Sequence, residues 1–363
     1  MKILVRATNW VGDAVMCIPA LEAVRARWPD SHIAILGRPW VAGIYHGQGL
    51  ADRIIPFENA GTHKGLLGIE RLARELRAER YDAALLLQNA FEAAWIAKRA
   101  GIPERIGYAR DARSWLLTRA VPVPHPGEVP AHEVFYYLHL VRCAGWLRDD
   151  SPHARALSAT SPHGGAAVAP PLIRLRVQPA AQERAEAFLA EAGARNGALR
   201  VAIAPGAAYG SAKCWPTERY AALADRLAGA FDADVILFGS LGERPVAERI
   251  AAQMKRRALM LAGRTPIGDL PALFARCALF IGNDSGAMHV AAAVGLPVVA
   301  VFGPTDAHGT RPATAQLALV QEKVSCSPCF LRHCPVDHRC MQRVTVDQVY
   351  DAAQAFIIQN KSR

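Results

Sequence analysis

Residues 278–305 read ALFIGNDSGAMHVAAAVGLPVVAVFGPT, and this stretch decides the fold of the chain. Its first apolar run, at residues 279–281, predicts a short buried strand of a parallel sheet. Turn and helix-capping residues follow at 283–286, and the spacing predicts a short helix over 288–294. A glycine and a proline end that helix, and a second buried strand is predicted over 298–302. The stretch is therefore a strand–helix–strand unit with a turn after each strand.

Polar side chains gather where the first of these strands ends. They are Asp284, Ser285, Gly286 and His289, with His289 on the same helix face as Ser285 because it lies four residues later. Open parallel sheets bind their ligands at the carboxyl ends of strands, and the N–H groups of a helix start favour an anion. The pattern favours a phosphate-containing ligand at this point. The alternative is a strand–helix–strand unit with ordinary polar caps.

The chain begins with a unit of the same kind. Residues 2–5 predict a strand, and a helix is predicted over 14–28 with a bend at Pro19. Asp13 stands between them and admits two interpretations. It is either the N-cap of the helix or a carboxylate at a strand end that is able to take a proton.

Strands and helices continue to alternate through the first half. Residues 33–36, 81–87 and 105–108 predict strands, and 90–100 and 132–144 predict helices. Residues 151–171 are rich in Ser, Gly, Ala and Pro and have little periodicity, which is typical of a linker.

The second half repeats the pattern and adds a Gly-containing loop. A helix is predicted over 180–192 and a strand over 199–203, and the loop at 204–216 contains Lys213. The loop lacks the spacing of a Walker A motif, but its N–H groups and one ammonium can still hold phosphate oxygens. The alternative is a surface loop with a solvated lysine.

A further helix and strand, at 217–229 and 234–238, lead to a second Gly-containing turn. Glu243 ends this turn and opens a helix that is predicted to run to residue 254. Its carboxylate has two interpretations: it accepts hydrogen bonds from a ribose, or it only favours the positive end of the helix dipole.

Two halves that each begin with a strand and a Gly-containing turn predict an α/β protein. We expect two Rossmann-like domains that face a central cleft, an N-terminal domain at 1–170 and a C-terminal domain at 171–345. Residues 346–363 are predicted to form a C-terminal helix. The length of 363 residues agrees, because it exceeds the size at which one core usually suffices.

Composition and charge narrow the function classes. The chain is 52% hydrophobic and has no apolar run long enough to span a membrane, and its start lacks a signal peptide. We therefore expect a cytoplasmic protein with reduced thiols. The net charge of +10 fits phosphorylated substrates or an anionic membrane face. Nucleic acid is not expected, because the basic residues are scattered without interleaved aromatic residues.

Four of the eight cysteines lie close together near the C-terminus. Cys326 and Cys329 have C-x-x-C spacing, and Cys334 and Cys340 are able to complete a four-thiolate structural zinc site. His333 and His338 are possible substitutes among the ligands. The second pair of cysteines lacks C-x-x-C spacing, so a reduced structural loop is the alternative.

Several short motifs of the chain, taken together and in their order along the sequence, resemble those of the bacterial lipopolysaccharide heptosyltransferases of glycosyltransferase family nine. The carrying motifs are Asn9-Trp-Val-Gly-Asp13, Pro205-Gly206 with Lys213-Cys-Trp-Pro216, Phe238-Gly239-Ser240, Gly282-Asn-Asp-Ser-Gly286 with His289, and Phe302-Gly-Pro-Thr305. The resemblance covers nearly the whole chain. It implies the GT-B fold, with a growing lipopolysaccharide inner core bound by the N-terminal domain and ADP-heptose bound by the C-terminal domain.

The resemblance also implies inverting transfer in one displacement, with no cofactor required. Asp13 matches the family's proposed base, and Lys213 matches the residue that contacts the donor phosphates. Glu243 matches the approximate ribose position. The donor loop is matched by Asp284, Ser285, Gly286 and His289.

An acceptor carried on a phosphorylated glycolipid implies peripheral contact with the cytoplasmic face of the inner membrane. Three alternatives remain: transfer to another core position, a non-catalytic nucleotide-sugar-binding protein, and an epimerase or other nucleotide-sugar enzyme. A binding protein would keep the loops of the second half but would not need Asp13.

Overall fold

Two six-stranded parallel sheets, each flanked by helices, make up the computed structural model, which describes residues 1–158 and 168–361. The chain divides into two compact units, Met1–Pro171 and Leu172–Arg363, and each unit contains one sheet.

The first unit orders its strands β3-β2-β1-β4-β5-β6. The strands are β1 Lys2–Arg6, β2 His32–Gly37, β3 Arg53–Pro56, β4 Ala83–Leu86, β5 Glu104–Tyr108 and β6 Arg119–Val121. The helices are α1 Val11–Met16, α2 Ile18–Arg27, α3 Pro39–Tyr45, α4 Gly65–Glu79, α5 Phe91–Arg99, α6 Glu133–Cys143 and α7 Pro152–Ser158, with a short 3-10 turn at Ser114–Leu116. Every strand pair is parallel.

The second unit has the same topology, with the order β12-β11-β10-β7-β8-β9. Its strands are β7 Arg200–Ala204, β8 Asp234–Leu237, β9 Leu259–Met260, β10 Leu279–Asn283, β11 Val298–Phe302 and β12 Leu317–Gln321. Its helices are α8 Pro179–Ala192, α9 Thr217–Phe231, α10 Arg244–Gln253, α11 Leu270–Phe274, α12 Gly286–Ala293, α13 Ala307–Thr310, α14 Arg339–Gln342 and α15 Val346–Lys361. The 3-10 turns are Ser211–Lys213, Leu241–Glu243 and Ile267–Asp269.

Both sheets have the strand order of a Rossmann fold. Each sheet therefore has one switch point, which is the place where the order of successive strands reverses direction. That point lies between β1 and β4 in the first unit and between β7 and β10 in the second. Ligands of doubly wound sheets bind outside the carboxyl ends of the strands at such a point. The predicted class, α/β with two Rossmann-like domains, is confirmed.

The predicted helix over 14–28 is two helices, α1 and α2, which meet at Cys17. Pro19 lies at the start of α2, where its missing N–H costs nothing because first-turn N–H groups have no intrahelical acceptor. Trp10, not Asp13, is the N-cap of α1, so the interpretation of Asp13 as a cap is wrong.

The predicted linker at 151–171 begins with an ordered helix, α7, in which Ala154 and Leu157 are buried. The prediction of irregular structure is therefore wrong for residues 152–158. Residues 159–167 of the predicted linker lie outside the described part of the chain.

The core of the second unit extends to the C-terminal helix. Tyr350, Ala353 and Ile357 of α15 are buried in the same apolar cluster as Trp215 and Tyr220, which flank the start of α9. The carboxyl end of the loop before α9 is therefore anchored in the core by Trp215. Lys213 lies two residues before this anchor, which restricts its position.

Candidate active site

Lys213 and Asp284 form an ion pair at the switch point of the second unit. Lys213 lies in the loop after β7 and Asp284 directly after β10. The Lys213 Nζ atom donates to Asp284 Oδ2 at 2.6 Å, and the two side chains are only 13% and 6% exposed. Thr305, in the turn after β11, donates its hydroxyl to the same oxygen at 2.6 Å. Three predicted strand ends thus meet at one carboxylate.

Asn283 fixes the loop that contains Lys213. Its Oδ1 accepts from the Trp215 N–H at 3.1 Å and the Tyr220 hydroxyl at 2.9 Å, and its Nδ2 donates to the Pro205 carbonyl at 2.6 Å. The side chain is fully buried. The prediction of a turn residue at this position is wrong, because Asn283 is the last residue of β10. Its side-chain amide forms hydrogen bonds to the neighbouring loop.

Helix α12 begins at Gly286, two residues earlier than predicted, and Ser285 is its N-cap residue. The N–H groups of its first turn have no intrahelical acceptor and are available to an anion. The Ser285 Oγ atom is buried and has no hydrogen-bond partner among the described residues. His289 is buried one turn later. Ser285 and Gly286 therefore follow Asp284 directly at the start of α12, with His289 one turn later. A contact of these residues with a donor stays a prediction.

Glu243 caps the turn that precedes α10. Its Oε2 accepts from the Ser240 N–H and from the Ser240 hydroxyl, both at 2.8 Å, which is a capping box. Its carboxylate also lies directly over Gly206, which follows β7, so Glu243 is at the same sheet edge as Lys213. The capping role is observed, and the ribose contact stays a prediction.

Asp13 lies in the first turn of α1 and is half-buried. The thiol of Cys17 next to it donates to the Ala14 carbonyl and contacts the Tyr45 hydroxyl, both at 3.3 Å. Burial raises the pKa of Cys17 to about 12, and the negative charge of Asp13 adds to the increase. Burial, with a contribution from the charge of Asp13, also raises the pKa of Tyr137. Asp13 is therefore a half-buried carboxylate whose neighbours Cys17 and Tyr137 stay protonated at neutral pH. Its role as the base stays a prediction.

Sequence reasoning assigned no role to a group of buried arginines in the first unit. Burial, followed by the charge of Arg38, lowers the pKa of Arg6 to about 10. The Nη1 atom of Arg38 is buried without a hydrogen-bond partner among the described residues, while Nη2 contacts Glu92 at 3.4 Å. Burial also lowers the pKa of Arg113 to about 10. Their positions at strand ends were the signal available in the sequence: Arg6 ends β1, Arg38 directly follows β2, and Arg113 lies in the loop after β5.

The cysteine-rich segment, residues 325–340, belongs to the second unit and is mostly exposed. Cys326, Cys329 and Cys334 are exposed, whereas Cys340 is buried. Across the described residues, no three His, Cys, Asp or Glu side chains have an arrangement that holds a metal ion. The structural zinc site stays a prediction.

Two Rossmann-ordered sheets in one chain are the architecture of the GT-B class of glycosyltransferases, and a cation, a helix start and a carboxylate lie at the switch point of the second sheet. The chain belongs to glycosyltransferase family 9 (heptosyltransferase), whose family model matches residues 69–339. The resemblance drawn from the motifs is confirmed.

Named relatives and solved structures agree with this assignment. Lipooligosaccharide heptosyltransferase 2 of Haemophilus influenzae is 29% identical over 88% of both chains, and lipopolysaccharide heptosyltransferase 2 of Salmonella typhimurium is also 29% identical over 88% of both. The structure of E. coli ADP-heptose lps heptosyltransferase II matches with a TM-score of 0.79 at 26% identity, over 99% of this chain and 100% of that one. A family 9 structure from Veillonella parvula, 21% identical, shares the fold with a TM-score of 0.80, over 99% of this chain and 97% of that one.

No helix within the two described ranges has both the length and the apolar character needed to cross a membrane.

Proposed function

We propose that this glycosyltransferase moves a heptose from ADP-L-glycero-D-manno-heptose to the inner core of lipopolysaccharide, at the position of the second heptose. The observation that carries the proposal is the Lys213–Asp284–Thr305 group beside the start of α12. The relatives support the substrate class, since six of them are named lipopolysaccharide or lipooligosaccharide heptosyltransferase 2.

The second unit binds the donor in this proposal. Lys213 and the N–H groups at the start of α12 contact the diphosphate, and they neutralise the charge that develops as ADP leaves. Asp284 holds the Lys213 ammonium in place through their 2.6 Å contact. Ser285 and His289 line the same helix start, and Glu243 accepts hydrogen bonds from the ribose through Oε1, since its Oε2 is taken by Ser240.

The first unit binds the acceptor and supplies the base. Asp13 accepts the proton of the attacking acceptor hydroxyl while that oxygen forms a bond to the anomeric carbon of the heptose. The bond from the same carbon to the ADP oxygen breaks in this step, so the anomeric configuration is inverted. A carboxylate serves as such a base late in an oxocarbenium-like transition state, where the hydroxyl has become acidic. The reaction as proposed requires no cofactor.

The activity is tested by incubating the purified protein with ADP-heptose and two matched acceptors. One acceptor is core lipopolysaccharide that carries a single heptose, and the other lacks heptose altogether. We expect ADP release and a mass increase of one heptose only with the first. Transfer only to the second would place the enzyme at another core position. Donor binding without transfer to either would favour a nucleotide-sugar-binding protein, and conversion of the donor without acceptor would favour an epimerase.

We also propose that the protein contacts the cytoplasmic face of the inner membrane peripherally. Its net charge of +10 attracts an anionic leaflet that carries the acceptor, and salt screens that attraction. Flotation with vesicles that contain anionic lipid should recover the protein at low salt and not at high salt. A protein that fails to float with these vesicles at low salt would contradict membrane contact without affecting the transfer assay.

A further inference from the structure

The cysteine-rich segment is bound to the loop that contains Lys213. The Ala212 N–H donates to the Arg332 carbonyl at 3.0 Å, and His338 Nε2 donates to the Ala212 carbonyl at 2.7 Å. The Ser211 hydroxyl contacts His333 Nδ1 at 3.0 Å. Both backbone polar groups of Ala212 are thus hydrogen-bonded to the cysteine-rich segment, which positions the adjacent Lys213.

The same segment is bound to the turn after β11. The N–H groups of Cys329 and Phe330 donate to the Pro304 carbonyl at 3.0 and 2.8 Å. Two glycines permit this close approach: a Cβ atom on Gly210 would clash with the Arg332 backbone, and one on Gly303 would clash with Met341. The segment therefore packs tightly against the loops that follow β7 and β11 at the carboxyl ends of these strands.

Tyr209 connects Lys213 to a second cation. The Lys213 Nζ atom lies 4.9 Å from the centroid of the Tyr209 ring, and the Arg332 Cζ atom lies 5.2 Å from the same centroid. The Tyr209 hydroxyl donates to the Phe330 carbonyl at 2.7 Å, which ties the ring to the segment that contains Arg332. Both cations therefore contact the same aromatic ring, since a cation over a ring is attracted by its π electrons.

The charges of these two cations are balanced differently. The Lys213 ammonium is paired with the buried carboxylate of Asp284, so the pair is close to neutral as a whole. Arg332 is exposed and has no salt bridge to any described carboxylate. A diphosphate brings at least two negative charges, and one compensated lysine does not neutralise them. A guanidinium suits the remaining oxygens, because its planar N–H groups bind phosphate in pairs.

We propose that Arg332 is a phosphate-binding residue of the donor site, supplied by the cysteine-rich segment and held toward Lys213 by Tyr209. The ligand class is a nucleoside diphosphate or its sugar ester. The identity of the nucleotide as ADP rests on the proposed function. In this arrangement Lys213 and Arg332 contact the diphosphate from two different loops, one after β7 and one after β12.

The experiment is calorimetric titration of full-length wild-type protein, Arg332→Gln and Arg332→Lys with ADP and, separately, with adenosine. Loss of a charge-assisted hydrogen bond should weaken ADP binding on the order of tenfold to a hundredfold in Arg332→Gln. Adenosine lacks phosphate, so its affinity should not change. Arg332→Lys keeps the charge and should recover part of the loss. Arg339→Gln is the matched control, because Arg339 lies in the same segment but is paired with Asp337.

The role of Arg332 would be overturned, with the proposed function unaffected, if Arg332→Gln bound ADP as tightly as the wild type. Equal losses of affinity for ADP and adenosine would also overturn it, because they would indicate a purely structural role. An equal loss in the Arg339→Gln control would do the same, since it would show a general effect of charge. A wild-type protein that does not bind ADP would instead overturn the proposed function, and this assignment with it.

Discussion

Lys213 and Asp284, which the sequence marked as separate donor contacts, contact each other at 2.6 Å across 71 positions of the chain. The pair is largely shielded from water, with Asp284 only 6% exposed. Such a pair has two consequences. The carboxylate fixes the ammonium where a ligand phosphate can reach it, and neither partner can be removed without leaving the other buried and uncompensated.

Replacing Lys213 by alanine should therefore affect both binding and stability. We expect weaker ADP binding and a lower kcat, because the ammonium no longer offsets the charge of the leaving diphosphate. We also expect a loss of about 3–5 kcal/mol in the free energy of unfolding, since Asp284 loses its buried partner. Calorimetry and urea unfolding measure the two effects.

The companion variants are Asp284→Asn and the double variant Lys213→Ala/Asp284→Asn. The double variant should lose less stability than the two single losses added together, because removing both charges leaves none uncompensated. Additive losses would show that the two side chains do not interact in solution. Unchanged ADP affinity in Lys213→Ala would move the phosphate site elsewhere.

Replacing Asp13 by asparagine should abolish transfer and leave the donor site intact. The amide cannot accept the proton of the acceptor hydroxyl, and the loss of a general base lowers kcat by about 10²–10⁴-fold. ADP affinity should stay at the wild-type value, because Asp13 belongs to the first unit and the donor contacts to the second. Asp30→Asn, an exposed carboxylate of the first unit, is the control. A variant at position 13 that retains most of its kcat would exclude Asp13 as the base.

Asn283→Ala should destabilise the second unit and disorder the loop after β7. The substitution removes the partners of the Trp215 N–H, the Tyr220 hydroxyl and the Pro205 carbonyl. Each buried polar group left without a partner costs about 1–3 kcal/mol, so we expect a loss of about 3 kcal/mol or more. Tyr220→Phe removes only one of these bonds and should cost about 1 kcal/mol. Equal losses in the two variants, measured by urea unfolding, would mean that the amide does not organise the loop.

Stability should depend on pH through Cys17. Burial raises the pKa of its thiol from 9.0 to about 12. Above the ordinary value the unfolded chain loses this proton while the folded chain keeps it, so the free energy of unfolding falls as the pH rises from 9.0 toward about 12. The contribution is fully present below the ordinary value.

Cys17→Ser lacks a group that titrates in this range and serves as the comparison. Between about pH 8 and about pH 10.5, the wild type should lose roughly 2 kcal/mol more than Cys17→Ser in urea unfolding, since one pKa unit corresponds to about 1.4 kcal/mol. Parallel losses in the two proteins would show that the Cys17 thiol is not buried in a protonated state.

Local patterns in the sequence predicted the inner strands of both sheets and missed the edges. The residues of β11 are those of the predicted strand, and β1, β7 and β10 differ from theirs only at their ends. The missed strands β3, β6, β9 and β12 are the four edge strands. An inner parallel strand is covered on both faces and reads as a continuous apolar run, whereas an edge strand is short or half-exposed and lacks that signal.

The sequence by itself also determined which residues stand at strand ends, because turn and cap residues follow directly after apolar runs. Lys213, Glu243, Asp284, Ser285 and His289 were singled out in this way, and they lie in the segments that follow β7, β8 and β10 of the second sheet. Their roles as donor contacts stay predictions. The family motifs rest on the same local order of residues.

Only the tertiary structure decided which of these side chains contact each other. The amide of Asn283 binds groups 63 to 78 positions away, and Tyr209 binds the Phe330 carbonyl 121 positions away. No local periodicity encodes such partners, because they are brought together by the parallel pairing of β7, β10 and β11 and by the return of the chain after β12. Arg332 has no special signal in the sequence for the same reason: its place at the donor site depends on a ring and a lysine in a loop that precedes it by more than a hundred residues.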